Sequence, residues 1–329
     1  MIQILSNSPR SFSRCLASVA LLVVVSMVDG CKGQRADADF VPVVARPAFT
    51  TGHPKILFDE AHNNLHTADG GYRPFVDLVT LDGYAVLPNS SPFSKQSLDG
   101  FNILIISNAR GKERKYDPAF PEQECDAVQE WVRNGGNLLL IADHYPLGSA
   151  AENLAKRFGV DMSRGFTNDS VHFDSSSFTQ SPVSGKSQLV FSRTNGLLGQ
   201  HPVLEGRDSS ERINRVITFT GQSLKGPTGS GSLLNLSPSS YDVIPDSIWE
   251  KKEWVFFTST VTRFADPVPA AGRSQCVTLE FGKGRVVVLG EAAMLTAQVF
   301  ENEHFGMNVK GTDNRQLALN IMHWLSRLI

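Results

Sequence analysis

Cysteine is scarce in this chain: 329 residues carry four, at positions 15, 31, 125 and 276. No two stand in Cys-x-x-Cys spacing, which excludes a thiolate zinc site. Long apolar runs are missing as well. The run from Leu16 to Val28 has 13 residues, too few to cross a hydrocarbon core as a helix. Charge of one sign is absent: 31 basic and 33 acidic residues leave a formal net charge of −2. The one dense basic stretch, Arg110-Gly111-Lys112-Glu113-Arg114-Lys115, reads as a solvated loop, so nucleic acid is not an expected partner. The glycine-rich Gly226-Pro227-Thr228-Gly229-Ser230-Gly231 lacks the Gly-Lys-Ser/Thr ending of a phosphate loop and reads as a turn. No internal repeat is visible.

What is present begins with a leader. Arg10 and Arg14 precede the apolar run, and Asp29-Gly30-Cys31 closes it, the layout of a secretory signal peptide over residues 1–30. Val28-Asp29-Gly30-Cys31 resembles a bacterial lipobox, with Asp29 as its departure, and implies lipidation at Cys31. The expected location is therefore a membrane-anchored lipoprotein of the cell envelope, with soluble secretion as the alternative. Acylation by more than one chain is what makes such an anchor firm, since a single chain is marginal. Residues 31–54, with Pro42, Pro47 and Pro54 and no periodicity, read as a tether. Residues 55–329 follow as one domain, and 41% hydrophobic residues suffice for a large core.

Periodicity predicts an α/β domain with a mainly parallel sheet. Lys55 to Phe58, Tyr84 to Leu87 and Asn102 to Ser107 read as strands. Helices open at Arg73-Pro74 and at Pro121, the second with Glu122 and Glu124 favouring its dipole and Cys125, Val128 and Val132 facing inward. Leu138-Leu139-Leu140-Ile141-Ala142 suits a strand covered on both faces, and it ends in Asp143-His144. Ser149 is the expected N-cap of a helix Ala150–Phe158, with Glu152 at its third position. Residues 160–275, rich in Ser, Gly, Thr and Pro, read as a partly antiparallel β-rich elaboration with strands at Gln188–Phe191, Val216–Thr220 and Trp254–Thr258. Cys276–Phe281 and Arg285–Leu289 around Gly282-Lys283-Gly284 form a hairpin. Asp313 and Gln316 have capping-box spacing before a last helix with a stripe of Leu317, Ile321, Trp324, Leu325 and Leu328, and His323 is expected at its surface or boundary. Cys125 and Cys276 are expected as two separately buried thiols, with a disulfide as the alternative.

Four motifs in order carry a resemblance: Phe58-Asp59-Glu60-Ala61-His62-Asn63-Asn64, Gly135 to His144, Gly284 to Glu291, and Asp313-Asn314-Arg315-Gln316. Together they resemble an uncharacterised bacterial group in the class I glutamine-amidotransferase-like superfamily, similar to domains of gliding-motility and intraflagellar-transport proteins. The resemblance spans roughly residues 55–329. It implies a flavodoxin-like three-layer sandwich with a C-terminal helix. It also implies a nucleophilic Cys on the turn after the fourth strand, and the matching Ala142-Asp143-His144-Tyr145-Pro146 has none, so glutamine amidotransferase chemistry lacks its central atom.

In a parallel sheet the loops beyond the strand ends share one edge, where ligands bind. That rule gathers a candidate ligand site of Asp59, Glu60, His62, Asn63, Asn108, Asp143, His144 and Glu291. Asp59, His62, Asp143 and His144 are the candidate metal ligands, and Asp143, His144 and Glu291 the candidate acid–base groups. No cofactor is specified. Glu301, Glu303 and His304 follow the last strand as a solvated loop or lid. Two functions are consistent with this pattern. The first is a non-catalytic, membrane-tethered envelope protein that binds a small molecule or a protein partner. The second is a hydrolase, metal-assisted or not, acting on glycans or amides.

Overall fold

Strands β1 (Lys55–Asp59), β2 (Ala85–Asn89), β3 (Ile103–Ser107) and β4 (Asn137–Ile141) run parallel to one another in the spatial order β2-β1-β3-β4. The computed structural model describes residues 34–111, 117–175, 186–253, 258–300 and 303–329. The sheet is completed by β5 (Gly231–Ser232), β6 (Cys276–Phe281) and β7 (Gly284–Leu289), giving seven strands ordered β5-β6-β7-β4-β3-β1-β2. Strand β7 is parallel to β4, and the β6–β7 hairpin and β5 add antiparallel partners at that edge.

Successive side chains of a strand point to opposite faces, and the core divides accordingly. Ile56, Phe58, Ile103, Ile105, Leu139 and Ile141 pack on one face with helices α1 (Arg73–Leu81) and α4 (Asn314–Leu325). Leu57, Leu104, Ile106, Leu138 and Leu140 pack on the other with α2 (Glu122–Arg133) and α3 (Leu147–Arg157). The result is a flavodoxin-like three-layer α/β sandwich. Cys276 lies in the first core and Cys125 in the second, both free and buried, so the sheet separates the two thiols.

The elaboration between residues 160 and 275 is antiparallel throughout its pairings: Ser240–Val243 pairs with Phe166–Asp169 and with Val268–Pro269, Val190–Ser192 with Arg215–Ile217, and Pro245–Glu253 with Thr258–Phe264. Much of the expected strand Trp254–Thr258 lies outside the described residues. The expectation for 188–191 is displaced by about two residues, and that for 216–220 ends early because Thr220 turns to φ +64°.

Several local expectations are corrected. Strand β2 continues past Leu87 through Pro88, because β2 is the edge strand and needs no ladder hydrogen bond there. Helix α3 starts at Leu147, since Pro146 already leads the chain into helical geometry; Ser149 is therefore inside the helix, its buried hydroxyl unpartnered among the described residues. Asp313 precedes α4 without capping it, because its carboxylate accepts instead from the amides of Asn214 (2.7 Å) and Arg215 (3.0 Å). His323 is fully buried, with Nε2 2.7 Å from Asp82 Oδ2, and Leu328 lies beyond the helix, 39% exposed. Residues 34–54 do not hang free. Arg35–Ala36 pairs with Ala297–Phe300, the amide of Ala48 reaches Asp82 at 2.8 Å, and Arg46 meets Asp208 at 2.7 Å. Glu303 and His304 belong to the strand Glu303–Gly306, paired with Ala297–Phe300, whereas Glu301 is outside the described residues.

Candidate functional site at the switch point of the sheet

Strand order reverses between β1 and β3, and in open α/β sheets the crevice beyond the carboxyl ends at such a point is the natural ligand position. Asp59 is the last residue of β1 and is fully buried. Its carboxylate lies 2.9 Å from His62 Nδ1 and accepts from Asn64 Nδ2 (3.0 Å) and Asn89 Nδ2 (3.3 Å). The other imidazole nitrogen, Nε2, lies 2.9 Å from Glu124 Oε2, which also accepts from the amide of Phe93 at 2.6 Å. The His62 ring is held between Phe93 and Phe120, with centroids 4.5 and 4.9 Å away.

Carboxylates only accept, so an imidazole between two of them donates from both nitrogens and is an imidazolium. Burial alone would lower the His62 pKa, but Asp59 and Glu124 together outweigh it and raise the value. A metal needs a bare ring nitrogen, and His62 has none to offer. Among the described residues no three His, Cys, Asp or Glu side chains gather as a metal-holding group. The four candidate ligands thus fall into two separate pairs: Asp59 and His62 are bonded to each other, and Asp143 and His144 belong to a second group.

That second group stands beyond β4 and β7. These strands are parallel neighbours with Ile141 opposite Leu289, so Asp143 and Glu291, each two residues further on, share the same edge. Glu291 is fully buried, and its two oxygens accept from the amides of Ala293 and Met294, both at 2.8 Å. Asp143 is only partly buried. Its Oδ1 accepts from the amide of His144 at 2.8 Å, and its own amide donates to Asn108 Oδ1 at 2.9 Å. Burial pushes the Asp143 carboxyl up to about 6. Burial first, then the negative charge of Asp143, raise Glu291 well above the usual carboxylate range. Two acids in one low-dielectric corner resist ionising together.

His144 is partly exposed and stacks on Phe166 at 4.4 Å between centroids. Its Nδ1 lies 2.8 Å from the carbonyl of Tyr145, an acceptor only, so Nδ1 carries a proton and Nε2 is the ring atom left for another partner. Nε2 has no partner among the described residues.

Between the two groups runs a polar bridge. The Asn64 amide reaches the Ser107 carbonyl at 3.3 Å, and Ser107 Oγ lies 3.1 Å from His66 Nδ1. His66 is pushed down to about 4 by burial and by the charge of Arg110, so it is neutral at physiological pH. Its ring lies tilted against Tyr72, with centroids 4.9 Å apart, and the Tyr72 hydroxyl donates to the Ala292 carbonyl at 2.7 Å, next to Glu291. Over Glu291 lies the turn Thr220-Gly221. A Cβ on Gly221 would stand 2.7 Å from Glu291 Cβ, and Thr220, a β-branched residue, holds φ +64°. Such strain in a β-branched residue is uncommon and gathers at functional sites.

The structure therefore brings Asp59, His62, Asn108, Asp143, His144 and Glu291 to one edge of the sheet. Two candidates serve the loops instead. Glu60 Oε1 accepts from the amide of Ala68 at 2.8 Å, and Asn63 is exposed, its carbonyl clasped by Arg110 Nε at 2.8 Å. Glu124, His66, Tyr72 and Ser107 were not foreseen. Glu124 carried a signal, an acid in the first turn of a helix that starts beside the crevice, but the dipole explained it without a partner. Gln222, whose amide donates to the carbonyls of Ala142 (2.8 Å) and Asp143 (3.1 Å), comes from the elaboration and carried no signal.

Neither a known family pattern nor a curated protein sequence matches the chain. Among solved structures it is similar to the mmIFT52 N-terminal domain, at 12% identity over 83% of this chain and 97% of that one, with a TM-score of 0.56. A protein described as ThuA-like from Bacteroides uniformis ATCC 8492 aligns at 14% identity over 87% of this chain and 94% of that one, with a TM-score of 0.40. One described as a GMP synthase component from Thermoplasma acidophilum aligns at 12% identity over 84% and 96%, with a TM-score of 0.41. At these identities the likeness is one of fold alone.

Proposed function

We propose that this chain is an exported, lipid-anchored envelope protein whose domain, a relative of the class I glutamine-amidotransferase-like proteins without their nucleophile, binds a small polar ligand at the carboxyl edge of the sheet, beside Asp143 and His144. The observation that carries this reading is the division of the strand-end residues into a closed set and an open one. Asp59, His62 and Glu124 satisfy one another. Asp143 and His144 remain partly exposed, one a carboxyl raised to about 6 and the other a ring nitrogen without a partner among the described residues. Together they offer an unengaged ring nitrogen and a proton-dependent donor, the few convergent polar groups a small-molecule site needs.

Absence of turnover is supported by the nucleophile position. The turn 142–146 holds no thiol, burial raises both Cys125, to about 11, and Cys276, and neither is a thiolate near neutral pH. Export and acylation at Cys31 are supported by the apolar run Leu16 to Val28 and the Gly30-Cys31 junction.

A hydrolase is the second reading, favoured by the Asp143–Glu291 pair, since a carboxyl raised towards neutrality is what a general acid requires. Purified protein tested for glutamine, amide and glycoside hydrolysis, alongside elemental analysis for bound metal, separates the two. The expected result is no turnover beyond that of an Asp143→Ala control. Hydrolysis that Asp143→Ala abolishes overturns the non-catalytic reading.

A further inference from the structure

The described chain begins on the edge of the sheet that carries the crevice. Arg35 and Ala36 pair with Val299 and Gln298, and the amide of Asp37 donates to the Ala297 carbonyl at 2.9 Å. Ala297 is six residues after Glu291, and the amide of Met307, which follows the partner strand Glu303–Gly306, returns to the Thr296 carbonyl at 2.6 Å. From there residues 37–44 cross the surface. Phe40 and Val44 pack against the core, while Val41 and Val43 are 71% and 55% exposed. An open groove of about 590 Å³ separates this strip from the loop Met307–Thr312 and Arg315. Lys310 and Arg315 on its far wall are exposed and have no ion-pair partner among the described residues. Of the acids beside them, Asp37 is occupied by Asn308 Nδ2 (2.8 Å) and lies 3.5 Å from His304, which leaves Asp39 as the exposed one.

Scattered exposed valines are ordinary on a soluble protein. Here they coincide with two cations that have no ion-pair partner among the described residues and with the place where the chain enters from Cys31. We infer that this face rests on an anionic phospholipid bilayer, Val41 and Val43 entering the headgroup boundary and Lys310 and Arg315 against lipid phosphates. The inference rests on acylation of Cys31 as proposed above. Cys31 stands four residues before Arg35, so a fully extended chain allows at most about 14 Å between them. An anchor held so close brings this strip to the membrane surface whatever the conformation of the link. Near an anionic surface each basic side chain contributes roughly fivefold in binding, and the partly buried valines add to that.

The test uses the full-length protein made in a bacterial host with labelled palmitate and reconstituted in phosphatidylglycerol/phosphatidylethanolamine vesicles carrying nitroxide lipid. A fluorophore is placed through Val43→Cys, or through Gln96→Cys on the opposite layer; Cys125 and Cys276 are buried and do not compete for the label. Quenching at position 43 at least about threefold stronger than at 96, and weakened by Lys310→Glu/Arg315→Glu, is the expected result. If palmitate is incorporated but position 43 is quenched no more than 96, or is shielded only by cross-linkable protein, the docking face is wrong while the anchor stands. Quenching at 43 without palmitate upholds the docking face and refutes the anchor. Neither palmitate nor quenching refutes both.

Discussion

Replacing Asp143 by asparagine removes one charge from the Asp143–Glu291 corner while keeping the side chain's shape and its acceptor for the His144 amide. The carboxyl of Asp143 is raised in the fold to about 6 from an ordinary value of 3.8. A raised acid stabilises the fold while protonated. That contribution is fully present below about pH 4, fades as pH rises towards 6, and is gone above it. A rise of that size corresponds to about 3 kcal/mol. Partial exposure of Asp143 screens part of this, so about 1–2 kcal/mol is the expected effect. Asparagine cannot ionise, so Asp143→Asn should be more stable than the parent at pH 8 by that amount, a melting-temperature gain of roughly 2–6 °C. At pH 4 the two should melt together. Calorimetry on both proteins at both pH values measures this directly. A gain of equal size at pH 4 and 8, or a loss at pH 8, would refute the reasoning, since either shows that the negative charge of Asp143 is not what strains the site. A gain confined to high pH would mark Asp143 as a group held at a cost to stability, the pattern expected of a binding residue and not of a structural one.

The opposite outcome is expected at His62. His62→Ala leaves Asp59 buried without its cation and should lose about 3–5 kcal/mol at neutral pH, read as a lowered denaturant midpoint. Because its pKa is raised in the fold, the His62 contribution is complete below the unfolded value near 6.5 and fades as pH climbs through the folded one, so the loss should shrink in alkaline buffer. A loss below about 1 kcal/mol at pH 6 would show that the three-residue network is not structural. Gly221→Ala places a methyl 2.5 Å from the Gly290 carbonyl and against Glu291, and should destabilise by about 1–3 kcal/mol; an unchanged melting temperature would show that the covering turn moves freely.

Much of the architecture was readable along the chain because it rests on local periodicity. Runs such as Leu138 to Ala142 announce strands covered on both faces, and the parallel order that follows puts Asp59, Asn108, Asp143 and Glu291 on one edge without any knowledge of contacts. Two of the misreadings have a common cause. Asp313 and His323 were each interpreted by their nearest neighbours in sequence, and each is governed by a remote partner: Asp313 by the amides of residues 214 and 215, His323 by Asp82. Ser149 differs, its place inside the helix being set locally by a start two residues earlier.

The same distinction separates the two halves of the site. Residue types and strand ends determine that acids and imidazoles meet at the carboxyl edge of the sheet, since parallel strands put all their ends there. Which of them are closed and which open was decided only by tertiary structure. Glu124 arrives from α2 to convert His62 into a fixed cation, and the turn at Thr220 covers Glu291. Asp143 and His144 are left at the surface of a corner whose low dielectric raises the acid of the first. Hydrogen-bond pairing and burial depend on groups tens to hundreds of residues apart, and no local pattern encodes them.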